Sequence, residues 1–195
     1  MISLSSSANA QFIGINADVA IDYSAAPGSV SGYSVGISHP APFIPNIGYS
    51  SVSFEDKETI DSDNNTSSVL LVTTTTIETI NLLYNIPFPV VTITVGFGYG
   101  SQNLKTGVET ITTIVEDGKA PVTSDLEPSV SVTEAFFHIG LPFWNTVEFH
   151  LGYHLMSFTS IDITSNKSGG DFQGNYNTKK NYSGGMTTIG VQVAF

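Results

Sequence analysis

The sequence predicts an all-β fold: a closed, up-and-down antiparallel barrel of eight strands that crosses a membrane. Three observations lead there. Long stretches alternate apolar with small polar residues at period two, and no window carries an apolar stripe of helical period. The connections alternate between short, Pro-rich, aromatic turns and long, polar, charged loops. The chain closes on "TTIGVQVAF", a strong strand with an aromatic last residue, where a soluble domain would normally fray.

The elements follow in order. In residues 1–10, Ala8-Asn9-Ala10 has the small-x-small form of a signal-peptidase site, without the positive region and apolar core that belong before it. This segment reads as the tail of an export signal or as appended sequence, with an ordinary flexible terminus as the alternative. Residues 11–195 form one barrel domain. Strand one, 12–23, sets Ile13, Ile15, Ala17, Val19, Ile21 and Tyr23 against Gly14, Asn16, Asp18, Ala20 and Asp22. Strand two, 31–39, repeats the pattern in "GYSVGIS". Strand three, 47–56, breaks it: Ile47 and Tyr49 share one face, Val52 and Phe54 the other. A bulge near Ser50-Ser51 would restore the phase. Strands four (69–86) and five (90–101) alternate well, the latter as "VVTITVGFGYG". Strands six (129–141) and seven (146–158) flank the turn "PFWN", and strand eight is 184–195. "HPAPFIPN", "PFP" and "PFWN" mark the tight-turn end. The long connections, 57–68, 102–128 and 159–183, carry all six lysines, and "VETITTIVED" in the second of them extends the strands as a hairpin.

Which face is inside decides the environment. A soluble sandwich would turn the apolar face into its core. Here the opposite face is Gly, Ser, Thr and Asn with a few carboxylates and histidines, which suits the inside of a narrow closed barrel. The apolar face then needs lipid, and lipid demands closure so that no strand edge is left unpaired. Phe43, Tyr84, Phe88, Phe143, Trp144 and Phe195 gather at the tight-turn end, and Tyr23, Tyr99 and Phe158 near the long-loop end, as two aromatic girdles. Charged residues make up only 12% of the chain, about half the usual share. The net charge of −11, with no arginine, excludes a nucleic-acid footprint.

The layout from Gln11 to Phe195 resembles the small eight-stranded bacterial outer-membrane barrels, the class of OmpX, OmpW and the OmpA transmembrane domain. No motif points to one family within it. The resemblance implies an outer-membrane location with both termini periplasmic, and contact with the lipid bilayer and lipopolysaccharide. It also implies that Phe195, ending the closing strand, serves as the signal read by the barrel-assembly machinery.

The luminal face carries the chemistry. In phase, Asp18, Asp22, Glu134, His138, Glu148, His150 and His154 all point inward. Pairing Leu141 with Val147 across "PFWN" sets His138 opposite His150 and Glu134 opposite His154. No lysine or arginine shares this face, so the buried carboxylates require histidine pairing, protonation or a bound cation. Glu134, His138, Glu148, His150 and His154 are therefore the candidate luminal cluster, either a hydrated polar plug or a site for zinc, a similar metal or a proton. No catalytic residues and no cofactor are expected. In the lipid A deacylases of the PagL type a His and a Ser lie two apart on one face, whereas "YHLMS" sets His154 and Ser157 three apart, on opposite faces. The acidic loops, with Glu55, Asp56, Glu58, Asp61 and Asp63 and then Glu109, Glu116, Asp117, Asp125 and Glu127, favour solubility and could bridge divalent cations, without any EF-hand spacing. "NNTS", Asn64 to Ser67, fits a glycosylation sequon and reads as a loop. The expected role is structural or adhesive, through the acidic loops; a narrow channel is the alternative, kept open by Gly32, Gly36, Gly96, Gly98 and Gly100 on the inner face.

Overall fold

The structure, a computed structural model, describes residues 13–39, 44–61, 68–88, 90–111, 129–144, 146–169 and 172–195. Among these residues ten strands form: β1 (Gly14–Tyr23), β2 (Val30–Ser38), β3 (Asn46–Asp61), β4 (Ser68–Pro87), β5 (Thr92–Ile111), β6 (Ser129–Trp144), β7 (Val147–Phe158), β8 (Ile161–Gly169), β9 (Phe172–Lys180) and β10 (Gly184–Ala194). Eight of them close an antiparallel barrel in the order β1-β10-β7-β6-β5-β4-β3-β2. Closure joins the first strand to the last, from Gly14 opposite Ala194 to Tyr23 opposite Met186. The Phe195 amide extends it by donating to the Ile13 carbonyl at 2.9 Å. The two ends of the chain's barrel thus pair with each other, which removes both edges.

The eight barrel strands are the predicted ones. The ninth and tenth, β8 and β9, form a separate hairpin inside the segment that reads as a loop. Their sequences, "IDITSNKSG" and "FQGNYNTKK", carry a period-two signal that is weak, with only Ile161, Ile163, Phe172 and Tyr176 apolar among polar residues. β4 and β5 are 20 residues each and pair along their whole length, from Pro87 with Thr92 to Ser68 with Ile111. A tilted strand needs about 9–11 residues to cross the hydrocarbon. The remainder projects on the long-loop side, as the "VETITTIVED" reading requires as far as Ile111. Residues 1–10, Phe43, Asp63, Asn64 to Ser67, Glu116, Asp117, Asp125 and Glu127 lie outside the described residues.

Among the described residues, thirty large apolar side chains are exposed and twelve apolar ones buried, the reverse of a soluble domain. They form the outward band, with Val19, Ile37, Leu82, Phe97, Ile139, Leu151 and Ile189 among them. Tyr84, Phe88, Phe143, Trp144 and Phe195 are 44–69% exposed at the tight-turn rim. There Phe143 packs edge-on against Trp144 at 4.6 Å.

Towards the long loops, both surfaces change character at one level. Outside, Tyr33 gives way to Ser31, Tyr49 to Ser51 and Ser53, Tyr99 to Ser101, Ala135 to Thr133 and Ser131, and Leu155 to Ser157. Inside, the polar lumen gives way to a buried apolar cluster of Tyr23, Val52, Phe54, Ile77, Val132, Met156, Phe158, Tyr182 and Met186. Below the switch the barrel is inside-out, as lipid requires; above it the barrel is an ordinary water-soluble β-structure with an apolar core.

This switch corrects three expectations. β3 carries no bulge at Ser50-Ser51: its ladders to β2 and β4 run without a register shift. Ile47 points out and Val52 and Phe54 point in because the surroundings invert and the phase does not. β1 does bulge, between Ala20 and Asp22. The extra residue turns Tyr23 inward, 2% exposed, and Asp22 outward, so Asp22 leaves the luminal set. Tyr23 and Phe158 belong to the upper core and not to an aromatic girdle; Tyr99, 60% exposed, keeps its place outside.

The segment after β9 seals this core. Tyr182 packs edge-on against Phe54 at 5.1 Å, and its backbone carbonyl accepts a hydrogen bond from the Tyr23 hydroxyl. The Lys180 ammonium donates to Asp56 Oδ2 at 2.8 Å and to Glu58 Oε2 at 2.7 Å. Partial burial pulls the Lys180 pKa down, but the two carboxylates outweigh it and hold it above the ordinary lysine value.

Candidate functional site

The lumen below the apolar cluster is polar, and its side chains are buried at each described level: Asn16, Asp18, Ser34, Asn46, Ser50, Thr79, Asn81, Thr94, Glu134, His138, His150, His154 and Thr188 are all under 8% exposed. Inward-facing glycines serve this packing. A Cβ on Gly36 would meet Asn16 Oδ1 at 2.3 Å, and one on Gly96 would meet the Phe136 ring at 2.1 Å. The volume given up by glycine is filled from the facing strand, so it does not open a channel there.

The register between β6 and β7 differs from the expected one by two residues. Leu141 faces Phe149, His138 faces Gly152, and Gly140 faces His150. The cause lies at the turn. Proline has no amide hydrogen for the ladder, and the pairing shifts between Pro142 and Trp144 so that Phe143 bulges. The strands then run on to Trp144 opposite Val147. A slip of two leaves every side chain on its own face. The cluster survives, through diagonal contacts where direct ones were expected.

All five predicted residues meet. His154 Nδ1 lies 2.5 Å from Glu134 Oε1, and Thr79 donates to the other Glu134 oxygen. His154 Nε2 lies 3.0 Å from His138 Nε2 and 3.2 Å from Thr188 Oγ1. Phe136 stacks on His154 with ring centres 4.8 Å apart. His150 Nε2 lies 2.8 Å from Glu148 Oε1, and Thr92 donates to Glu148 Oε2 at 2.7 Å. Two histidine–carboxylate pairs thus stand in the lumen, each carboxylate held by a threonine.

Asp18 completes the group, although sequence reasoning kept it apart from the cluster. It pairs with Gly190, and Gly190 pairs with His150, so β10 brings β1 to β7 across a residue with no side chain. A Cβ on Gly190 would meet Asp18 Oδ1 at 2.1 Å. The signal was available: barrel closure places strand eight between strands one and seven, and a glycine falls at the crossing. Ser157 points outward and His154 inward, as their spacing requires.

No protein-family profile and no curated protein matches the chain. Among solved structures it is similar to the Neisserial surface protein A, NspA, with 16% identity over 94% of this chain and 96% of that one, at a TM-score of 0.41. It is also similar to a major outer membrane protein from Thermus thermophilus, with 11% identity over 94% and 98%, at 0.49. A third is the outer membrane protease OmpT from Escherichia coli, with 9% identity over 85% and 64%, at 0.42. At these scores the likenesses carry no argument about what the chain does, and the closed barrel rests on its own ladders.

Proposed function

We propose that this chain is an outer-membrane barrel that works as an anchor, holding strand extensions and acidic loops above the bilayer for surface contact. The observation that carries this reading is the filled lumen. A polar network and an apolar plug follow one another along the barrel axis, and their described side chains are buried. Eight strands leave an interior just wide enough for such a filling. The outward apolar band supports insertion in lipid, and the pairing of Gly14 with Ala194 puts both barrel ends at the tight-turn rim, the periplasmic side in this reading. The acidic loops are suited to divalent-cation bridges to lipopolysaccharide phosphates. Phe195, exposed beside the closing ladder, is suited to recognition by assembly machinery.

A channel for small or hydrophobic solutes is the competing function, and conductance separates the two. Refolded barrel inserted into planar bilayers is expected to leave the membrane resistance unchanged. Steady single-channel steps would remove the anchor reading.

A further inference from the structure

His138, His150 and Asp18 pose a problem of hydrogen-bond accounting. Asp18, His138 and His150 are 2%, 1% and 5% exposed. Each offers a ligating atom, and these atoms lie within 4.8 Å of one another. Both Asp18 carboxylate oxygens, His138 Nδ1 and His150 Nδ1 lack a hydrogen-bond partner among the described residues. The nearest approach, His150 Nδ1 to Asp18 Oδ1, is 3.8 Å, too long for a hydrogen bond.

With neutral rings, the occupied nitrogens assign the tautomers. Glu134 accepts only, so His154 Nδ1 carries the hydrogen and donates to it. Neutral His154 then presents a lone pair on Nε2, which accepts from His138 Nε2–H. That leaves a lone pair on His138 Nδ1. Likewise His150 Nε2–H donates to Glu148, leaving a lone pair on His150 Nδ1. With the histidines neutral and Asp18 ionised, the partnerless atoms of these three buried residues are all acceptors. A bound cation would satisfy such a set.

We infer that Asp18, His138 and His150 bind a divalent first-row transition metal ion of the zinc type in the lumen. Two imidazoles and one carboxylate are a suitable ligand set for such an ion and leave a position open. The outer contacts have the form such sites use. Glu148 holds His150 by its far nitrogen, and Glu134 holds His138 through His154, which keeps both rings in the metal-binding tautomer. Ligands about 2.1 Å from a tetrahedral ion stand about 3.4 Å apart, so the three side chains close by roughly an ångström on binding. Glycine makes that approach possible: a Cβ on Gly152 would meet His138 Cδ2 at 2.6 Å. The ion would tie β1 to β6 and β7 through the lumen.

The experiment refolds the full chain in detergent with cobalt(II) or zinc, removes free metal, and measures metal per barrel and the cobalt ligand-field spectrum. The wild type is expected to retain one ion, with the visible bands of a nitrogen- and oxygen-ligated site. Asp18→Asn and His150→Gln are expected to lose it. Glu148→Gln, which leaves the ligands in place, is expected to weaken retention about 10–100-fold, and keeps the proposal testable where an inner variant does not fold. A wild type that folds and retains no stoichiometric metal overturns it: the acceptors are then bridged by water or by protons. Undiminished retention in Asp18→Asn overturns it equally, by placing any bound ion elsewhere.

Discussion

Replacing Phe54 by Ala probes the point where inside and outside exchange character. Phe54 is 3% exposed. Its ring lies 5.4 Å from Tyr23 and 5.1 Å from Tyr182, tilted or edge-on in both cases. Truncating a buried Phe costs about 3–5 kcal/mol, through lost transfer energy and the cavity left behind. Of that, each aromatic pair accounts for about 0.5–1.5 kcal/mol. Were Phe54 outside at this level it would face water, and the change would stay within about 0.5 kcal/mol. The assay is reversible urea unfolding of the barrel in lipid vesicles, reading the midpoint at constant slope. A loss below about 1 kcal/mol would refute the apolar core above the membrane.

Two further outcomes follow. The Lys180 pKa is raised in the fold, so the stability it contributes is complete below the ordinary lysine range and is lost as pH rises through the raised value. Hydrogen exchange at the Tyr182 amide is expected to quicken in that alkaline window, and Lys180→Gln is expected to abolish the pH step; a step that persists in the variant points to another group. Deleting Phe195 is expected to lower the amount of assembled barrel in cells while refolded protein keeps its stability within about 1 kcal/mol. Equal assembly of parent and deletion would end the signal reading.

The fold was legible because period-two alternation in a closed barrel survives local irregularity. β5 as far as Tyr99 and β7 as far as Leu155 alternate without interruption. β3 was misread for a physical reason. Alternation reports only which face is more apolar, and at Val52 the apolar environment moves from outside the barrel to inside it. The same inversion hid Tyr23 and Phe158. The luminal cluster was legible by face but not by distance, since the strands run on to Trp144 opposite Val147 and, with the bulge at Phe143, leave the register two residues from the expected one. Asp18 escaped because its partner stands two strands away, across Gly190, and sequence neighbourhood says nothing of contacts made through closure. β8 and β9 escaped because their apolar residues, Ile161, Ile163, Phe172 and Tyr176, alternate too thinly among polar ones to stand out.

The most direct measurement uses the absence of cysteine from the chain. Single cysteines placed along β3 from Ile47 to Phe54 carry a fluorescent label in lipid vesicles, read with one quencher confined to the bilayer and one confined to water. The account predicts lipid quenching at 47 and 49, aqueous quenching at 51 and 53, and protection from both at 52 and 54. Lipid quenching at 52 and 54 would contradict it, because those side chains would then face the bilayer and the barrel would have no core above the membrane.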